Sequence, residues 1–337
     1  MDQSWRAVPT PWHKRWGRRL FVLILLAGLA VLGGLAYEPV AEAFQLRTSP
    51  PPGRVVQGDG LDMHMQVTGS PSKPVVVLFN AWGMPSASWG WVLPKLTENN
   101  LVVRWDPPGY AWSALGSDAS IEDATHMAER IHTAMISYDV KGPYLLVGSG
   151  LGAVEAKAFA IRYPNEIFGM VLLDPWNQGL MTETPARIDA LEDAAFQRRF
   201  SWPRLRSWWQ KTPPTEFGLP EEDETVVLAS LKTVKMAQAK AEELQALPAG
   251  FEQTQALQTF GQKPLVILTS SSLDPDGRDG PWGPRTQAAR IQMDELFSKI
   301  STQGRHQVVA GATPVSLLCR QDLADQVVQA VRSCLGH

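Results

Sequence analysis

From Val75 to Leu173 the chain repeats one unit: a short, branched-rich apolar run closed by Pro, Gly or Asp, then a segment of helix length. The runs are Val75–Phe79, Leu101–Trp105, Tyr144–Val147 and Met170–Leu173, and the helical segments between them cover 86–98, 121–138 and 151–163. Runs that are apolar on both faces are what buried parallel strands require. Strands alternating with helices therefore predict an α/β fold, a mostly parallel sheet with helices on both faces. Leu265–Leu268, a helical segment near 285–302, the strand Gln307–Ala310 and a final helix near 321–334 continue the pattern. Residues 177–262 interrupt it with helical, Trp-, Arg- and Glu-rich sequence, which predicts a helical cap inserted into one domain spanning 54–337.

The first 53 residues are of another kind. Residues 1–19 hold Arg6, Lys14, Arg15, Arg18 and Arg19 against Asp2 alone, whereas the whole chain has a net charge of −3. An uncharged run, 20–37, follows and is closed by Glu38. As a helix it would span about 27 Å, close to the hydrocarbon thickness of a bilayer. Trp12 and Trp16 fall where interfacial aromatic anchors belong, and the basic cluster before the run predicts a cytoplasmic N-terminus with the large domain on the non-cytoplasmic side. The run is long for a cleaved secretory signal, although Ala41-Glu42-Ala43 has the form of a cleavage site. The Arg-rich, acid-poor start also admits import toward a mitochondrial inner membrane, and Arg18-Arg19-Leu20-Phe21 loosely resembles a twin-arginine signal. Residues 38–53, with Pro50-Pro51-Pro52-Gly53, read as a stiff linker.

The most informative stretch is Leu145-Leu146-Val147-Gly148-Ser149-Gly150-Leu151-Gly152-Ala153, a strand entering a helix through small residues. It resembles the nucleophile elbow of the α/β-hydrolase superfamily. Arg104-Trp105-Asp106-Pro107-Pro108-Gly109-Tyr110 resembles that superfamily's loop after the fourth strand. Phe159–Pro164 with Val171-Leu172-Leu173-Asp174-Pro175 resembles its next helix and strand. The resemblance covers 54–175 well and 263–334 more loosely, and it leaves the cap unmatched. It implies an α/β-hydrolase fold with a cap.

The chemistry the resemblance implies is vacated. The elbow pattern G-x-S-x-G places its nucleophile where this chain has Gly150, between Gly148 and Gly152. Ser149, one residue earlier, is flanked at the required spacing by Val147 and Leu151, too large for the turn, and its side chain is expected to point away. The histidine position after the last strand falls on Pro314. His306, eight residues earlier, is expected about 26 Å away toward the opposite sheet edge. His13, His64, His126, His132 and His337 read as ordinary core or surface histidines, and none has metal-ligand spacing with carboxylates. Asp274 and Asp276 lie where the superfamily's acid usually falls, with Asp174 as the runner-up, and turn chemistry explains all three equally well. Trp82, in Phe79-Asn80-Ala81-Trp82-Gly83, and Leu151 are the positions whose N–H groups form the implied oxyanion hole, and Trp82 is bulky enough to fill it.

Two of the three triad roles thus have no residue. The expectation is a non-catalytic binding or scaffold protein on a membrane anchor, without cofactor or metal and without affinity for nucleic acid. Its partners would be the bilayer through 20–37 and a membrane protein through the cap, where Trp202, Trp208 and Trp209 sit among arginines. Those tryptophans serve equally well as the cap's own core. The alternative is an active ester or amide hydrolase with a relocated nucleophile such as Ser149. A third reading has Gly150 and the helix start at Leu151 receiving an anionic ligand, opposed by collapse of the emptied pocket. The two cysteines, Cys319 and Cys334, flank the final helix and are expected to stay unpaired.

Overall fold

The computed structural model describes residues 16, 19–26, 28–29, 33, 50–116, 123–178, 217–231, 233–272 and 284–336. The chain divides into two units, Met1–Ser49 and Pro50–His337. In the first, residues 19–26 are helical. The expected span 20–37 lies partly outside the described residues, and among those described no helix is long and apolar enough to cross a membrane.

The second unit is built on an eight-stranded sheet of order β1-β2-β4-β3-β5-β6-β7-β8. Its strands are β1 (Arg54–Gly58), β2 (Leu61–Gly69), β3 (Val75–Phe79), β4 (Leu101–Trp105), β5 (Tyr144–Ser149), β6 (Ile167–Leu173), β7 (Leu265–Ser270) and β8 (Gly304–Val309). Only β2 runs against its neighbours; β3 to β8 are parallel. An early strand about His64 was expected and is β2; its hairpin partner β1 was not. Its signal was Asp59-Gly60, both at positive φ (48° and 77°), as the tight turn between right-twisted strands requires.

Alternation along the central strands divides the interior in two. Val75, Val77 and Phe79 of β3 and Tyr144 and Leu146 of β5 enter one core, while Val76, Leu78, Leu145 and Val147 enter the other. The first core is covered by α2 (Ala124–Ser137), α3 (Leu151–Arg162) and the cap helix α5 (Val234–Thr254). The second is covered by α1 (Leu93–Thr97), α7 (Ser316–Cys319) and α8 (Gln321–Leu335), with Val227 of α4 (Glu221–Ser230) at its margin. The sixth helix, α6 (Pro284–Ser298), packs on β7 and β8.

Local chemistry sets the helix starts. Asp123 accepts the N–H groups of Thr125 and His126 at the head of α2, and Thr233 accepts that of Met236 at the head of α5. The helix expected over 86–98 is split into a 3-10 turn, Ser86–Trp89, and α1, with Gly90 in the break and Pro94 in the first turn of α1. The final helix buries Leu323, Val327, Val328 and Val331 as its period predicts. Cys319 and Cys334 are both free and buried.

Candidate active site

The elbow is structurally complete. β5 ends at Ser149, α3 begins at Leu151, and Gly150 between them sits at φ 55°, ψ −113°. Glycine adopts that conformation without the clash a Cβ would bring. The outer glycines are needed for a different reason. A Cβ on Gly148 would lie 2.5 Å from the Gly152 carbonyl oxygen, and one on Gly152 would lie 2.5 Å from those of Phe79 and Asn80. Their spacing therefore preserves the close approach of β3, β5 and α3, whatever residue occupies the middle.

A Cβ on Gly150 would meet only Trp176 Nε1 at 3.5 Å and the Ala81 Cβ at 3.8 Å, ordinary contacts. Room for a nucleophile exists, and the side chain does not. Ser149 is 2% exposed and paired with Leu173 in the β5–β6 ladder. By alternation it continues the Leu145 and Val147 side, toward the α7 and α8 layer. It precedes the turn and is not on it.

The neighbourhood of Gly150 is indolic and partly charged. The Trp82 and Trp176 rings lie 6.3 Å apart at 38°. The Trp82 indole N–H donates to the Lys240 carbonyl at 3.1 Å, and the Lys240 ammonium stands 4.3 Å from the Trp82 ring centroid. Leu151 is buried in the first core. Among the described residues, the N–H groups of Trp82 and Leu151 bond to no backbone carbonyl. One turn further along α5, the Tyr110 hydroxyl donates to Glu243 and accepts the Gly83 N–H at 3.0 Å. Burial pushes the Glu243 carboxyl up to about 8, against the lowering effects of Tyr110 and Lys240. Burial, and then Glu243, push the Tyr110 phenol well above its usual range. The motif reading missed Lys240 and Glu243. The sequence offered only a weak signal, since Lys240 and Glu243 share a helical face but stand beside Lys235, Glu242 and two glutamines in the same stretch.

The base position is occupied by structure. Pro314 follows β8, where Thr313 and Ser316 cap each other: Thr313 N–H donates to Ser316 Oγ at 2.7 Å and Ser316 N–H to Thr313 Oγ1 at 3.2 Å. Leu317 N–H returns to the Thr313 carbonyl at 3.1 Å. Pro314 thus stands in the capped turn that leads into α7. β8 begins three residues earlier than expected and takes in His306, which pairs with Ile267 in the outermost strand of the sheet, eight residues before Pro314.

Asp274 and Asp276 lie outside the described residues. Asp174 is described, and its Oδ1 is committed within the sheet and to α6. Its Oδ1 accepts the Ser270 N–H at 2.7 Å and the Ser270 hydroxyl at 3.0 Å, and it is ion-paired with Arg290. The side chains of the pair are 2% and 3% exposed. Among the described residues Asp174 Oδ2 and Arg290 Nε have no hydrogen-bond partner.

Two other histidines make polar constellations. His64 is fully buried, with Nδ1 2.7 Å from Asp106 Oδ2 and Nε2 2.7 Å from the Pro52 carbonyl oxygen. Both nitrogens face acceptors and neither faces a hydroxyl. Thr269 Oγ1 lies 2.9 Å from His306 Nε2, and His306 Nδ1 lies 3.1 Å from Glu295, the atom order of a hydrolytic triad. However, Thr269 is 0% exposed and its hydroxyl also donates to Asp294 at 2.7 Å. No substrate carbonyl reaches that oxygen. Of the remaining histidines, His126 caps α2 with Asp123, His132 stacks on Tyr163, and His13 and His337 lie outside the described residues. No group of three metal-ligating side chains occurs among the described residues.

A parallel sheet with an antiparallel second strand, a glycine elbow after β5 and a helical insertion after β6 define the architecture. The fold is that of the α/β-hydrolases. An esterase from Thermogutta terrifontis superposes with a TM-score of 0.61 at 17% identity, over 83% of this chain and 96% of that one. A membrane phospholipase A superposes with 0.58 at 19% identity, over 95% and 100%. Among sequences, a pimeloyl-[acyl-carrier protein] methyl ester esterase from Methylococcus capsulatus is 28% identical over 183 residues, 49% of this chain and 68% of that protein. Three other curated relatives are matched over less than half of their own length (15%, 46% and 46%). No family model matches the chain.

Proposed function

We propose that this chain is a membrane-tethered α/β-hydrolase-fold protein that binds a partner or ligand and does not hydrolyse one. The observation that carries the reading is Gly150, held in the elbow conformation with space beside it and no oxygen to attack with. Pro314 in a capped turn and Asp174 tied to Arg290 support it, because neither supplies the base or the free acid that a serine would need. An oxyanion pocket without nucleophile and base retains only about 10³–10⁴-fold acceleration over water. The tether is residues 20–37, with the N-terminus cytoplasmic, and the tryptophan-bearing cap is the surface offered to a membrane partner.

The second reading, an ester or amide hydrolase, is favoured by the esterase names among the relatives. One experiment separates the two. The full chain in detergent micelles is assayed with 4-nitrophenyl butyrate and with a fluorophosphonate, beside Gly150→Asp. The expected result is equal, background rates and no covalent label. Stoichiometric labelling that Ser149→Ala abolishes would establish the hydrolase instead.

A further inference from the structure

A solvent-open cleft of about 780 Å³ lies at the N-terminal ends of β6, β7 and β8, the sheet edge opposite the elbow. That volume is within the range of small-molecule sites. Its walls are the start of β6, the 260–264 turn, the first residues of β8 and the last turn of α8. The lining is mostly apolar: Phe168, Phe260, Pro264, Val266, Cys334 and Leu335.

The charged side chains that line it have one sign. Lys263 and Arg305 both line the cleft, and none of the described residues that line it is acidic. Lys263 Nζ donates to the Pro164 and Ile167 carbonyls, which fixes the ammonium beside the cleft. An ammonium has three donors, so one remains. Arg305 is exposed and, among the described residues, makes no ion pair or hydrogen bond. Other arginines among the described residues are engaged: Arg104 with Gln66 and Asp223, Arg130 with the Gly58 carbonyl, Arg162 with Glu129, Arg290 with Asp174, Arg320 with Asp322, Arg332 with Glu98. An unengaged guanidinium above an apolar floor, with a second cation beside it, is complementary to a molecule carrying one anionic head and one hydrocarbon chain.

We propose that this cleft binds a single-chain anionic amphiphile, its carboxylate or phosphate head on Arg305 and Lys263 and its chain along Phe168, Phe260, Val266 and Leu335. The site is independent of the elbow and of whether the elbow is catalytic.

The test uses the full chain in lipid nanodiscs with acrylodan attached at Gln303→Cys, an exposed position on the cleft rim, in a Cys334→Ser background because that thiol lines the cleft; Cys319 is buried and lies away from it. Midpoints are referred to the free aqueous concentration of each amphiphile, because partition into the disc lipid also rises with chain length. Dodecanoate and dodecyl phosphate should each give a saturable emission shift, and dodecyltrimethylammonium should not. From octanoate to dodecanoate the midpoint should tighten about three- to four-fold per methylene as the chain is buried. Arg305→Glu should weaken dodecanoate at least about ten-fold, as loss of a charge-assisted pair does, and Arg305→Lys should restore most of it. Gly150→Asp should leave the titration unchanged. A shift absent for both anions, equal for the cationic probe, indifferent to Arg305→Glu, or abolished by Gly150→Asp would overturn the proposal. The esterase and fluorophosphonate assays report on the elbow alone, so the two failures are distinguishable.

Discussion

Gly150 and its two glycine neighbours answer to different constraints, and substitution separates them. At Gly150 the constraint is backbone angle, since φ is 55° and the nearest heavy atom to a Cβ is 3.5 Å away. Gly150→Ala should therefore cost about 1–2 kcal/mol. At Gly152 a Cβ would meet two carbonyl oxygens at 2.5 Å, so Gly152→Ala should cost about 3 kcal/mol or yield insoluble chain. Urea denaturation ranks the two, and the reverse order would mean that the elbow is not closed as described. Glu243 supplies the pH dependence. Its folded value near 8, against an ordinary 4.5, means that the folded chain holds a proton the unfolded chain releases between those limits. Stability contributed there is present at low pH and falls as pH rises from about 4.5 to 8. Glu243→Gln keeps an acceptor for Tyr110 and removes the titration. Its Tm should match that of the parent near pH 4.5 and exceed it by about 2–4 °C at pH 8.5, read by circular dichroism. The vacancy at Gly150 and the proline at 314 were legible in the sequence, because each departs from a fixed local spacing. The commitment of Asp174 to Arg290 was not: 116 residues separate the pair, and local pattern carries no information about such a contact.

At the scale of elements, β3 and β4 fall on their predicted bounds, and β5 and β6 extend the predicted cores by two and three residues. Buried parallel strands are uniformly apolar and end where polar or small residues begin, so one sequence reports them clearly. The outermost strand β1 was invisible for the same reason inverted: Arg54, Val55 and Gln57 are exposed, and only Val56 is half-buried against the core, too little to mark a buried face. In the insertion, helical character was legible, but the way α5 is held was not. The holding is done by side chains reaching to loops far away in sequence: Lys235 to the carbonyls of Ala111 and Ser113, Trp82 to the Lys240 carbonyl, and Tyr110 to Glu243. Between β7, β8 and α6 a second long-range polar group holds the elements together. The Thr269 hydroxyl bridges Asp294 and His306, with Asp294 pushed up to about 7 by burial and Lys157 of α3 held down to about 8 by the same cause. Thr269→Val is nearly isosteric and leaves both partners short of a bond inside the core. It should destabilise the chain by about 2–3 kcal/mol, whereas Thr269→Ser should lose less than half of that. Equal losses would assign the effect to packing of the methyl group and not to the hydroxyl.

At the scale of the whole molecule, charge divides after Arg19 and compactness after Ser49, with the uncharged run 20–37 between the two boundaries. Residues 1–19 carry +4 and the whole chain −3, so everything after Arg19 carries −7. All three core clusters have their buried residues between Met63 and Cys334, within the unit Pro50–His337. If residues 20–37 are the tether, the attachment to membrane and the fold of the large unit are separable properties. The full chain should then stay with membranes through an alkaline carbonate wash, and a chain beginning at Pro50 should be recovered in the soluble fraction with an unchanged thermal transition. Replacing two residues of the run, Leu23→Arg together with Leu26→Arg, should release the full chain as well. Each charge at mid-bilayer depth costs about 2.5–3.5 kcal/mol on an insertion scale, and the pair cancels the advantage of the remaining apolar positions. Protease added from the non-cytoplasmic side should digest the large unit and spare the basic segment, because positive residues are retained on the cytoplasmic side. A Pro50 chain that still sediments with membranes would move the attachment to the large unit itself, and the arginine-flanked tryptophans Trp202, Trp208 and Trp209 would be the first positions to substitute.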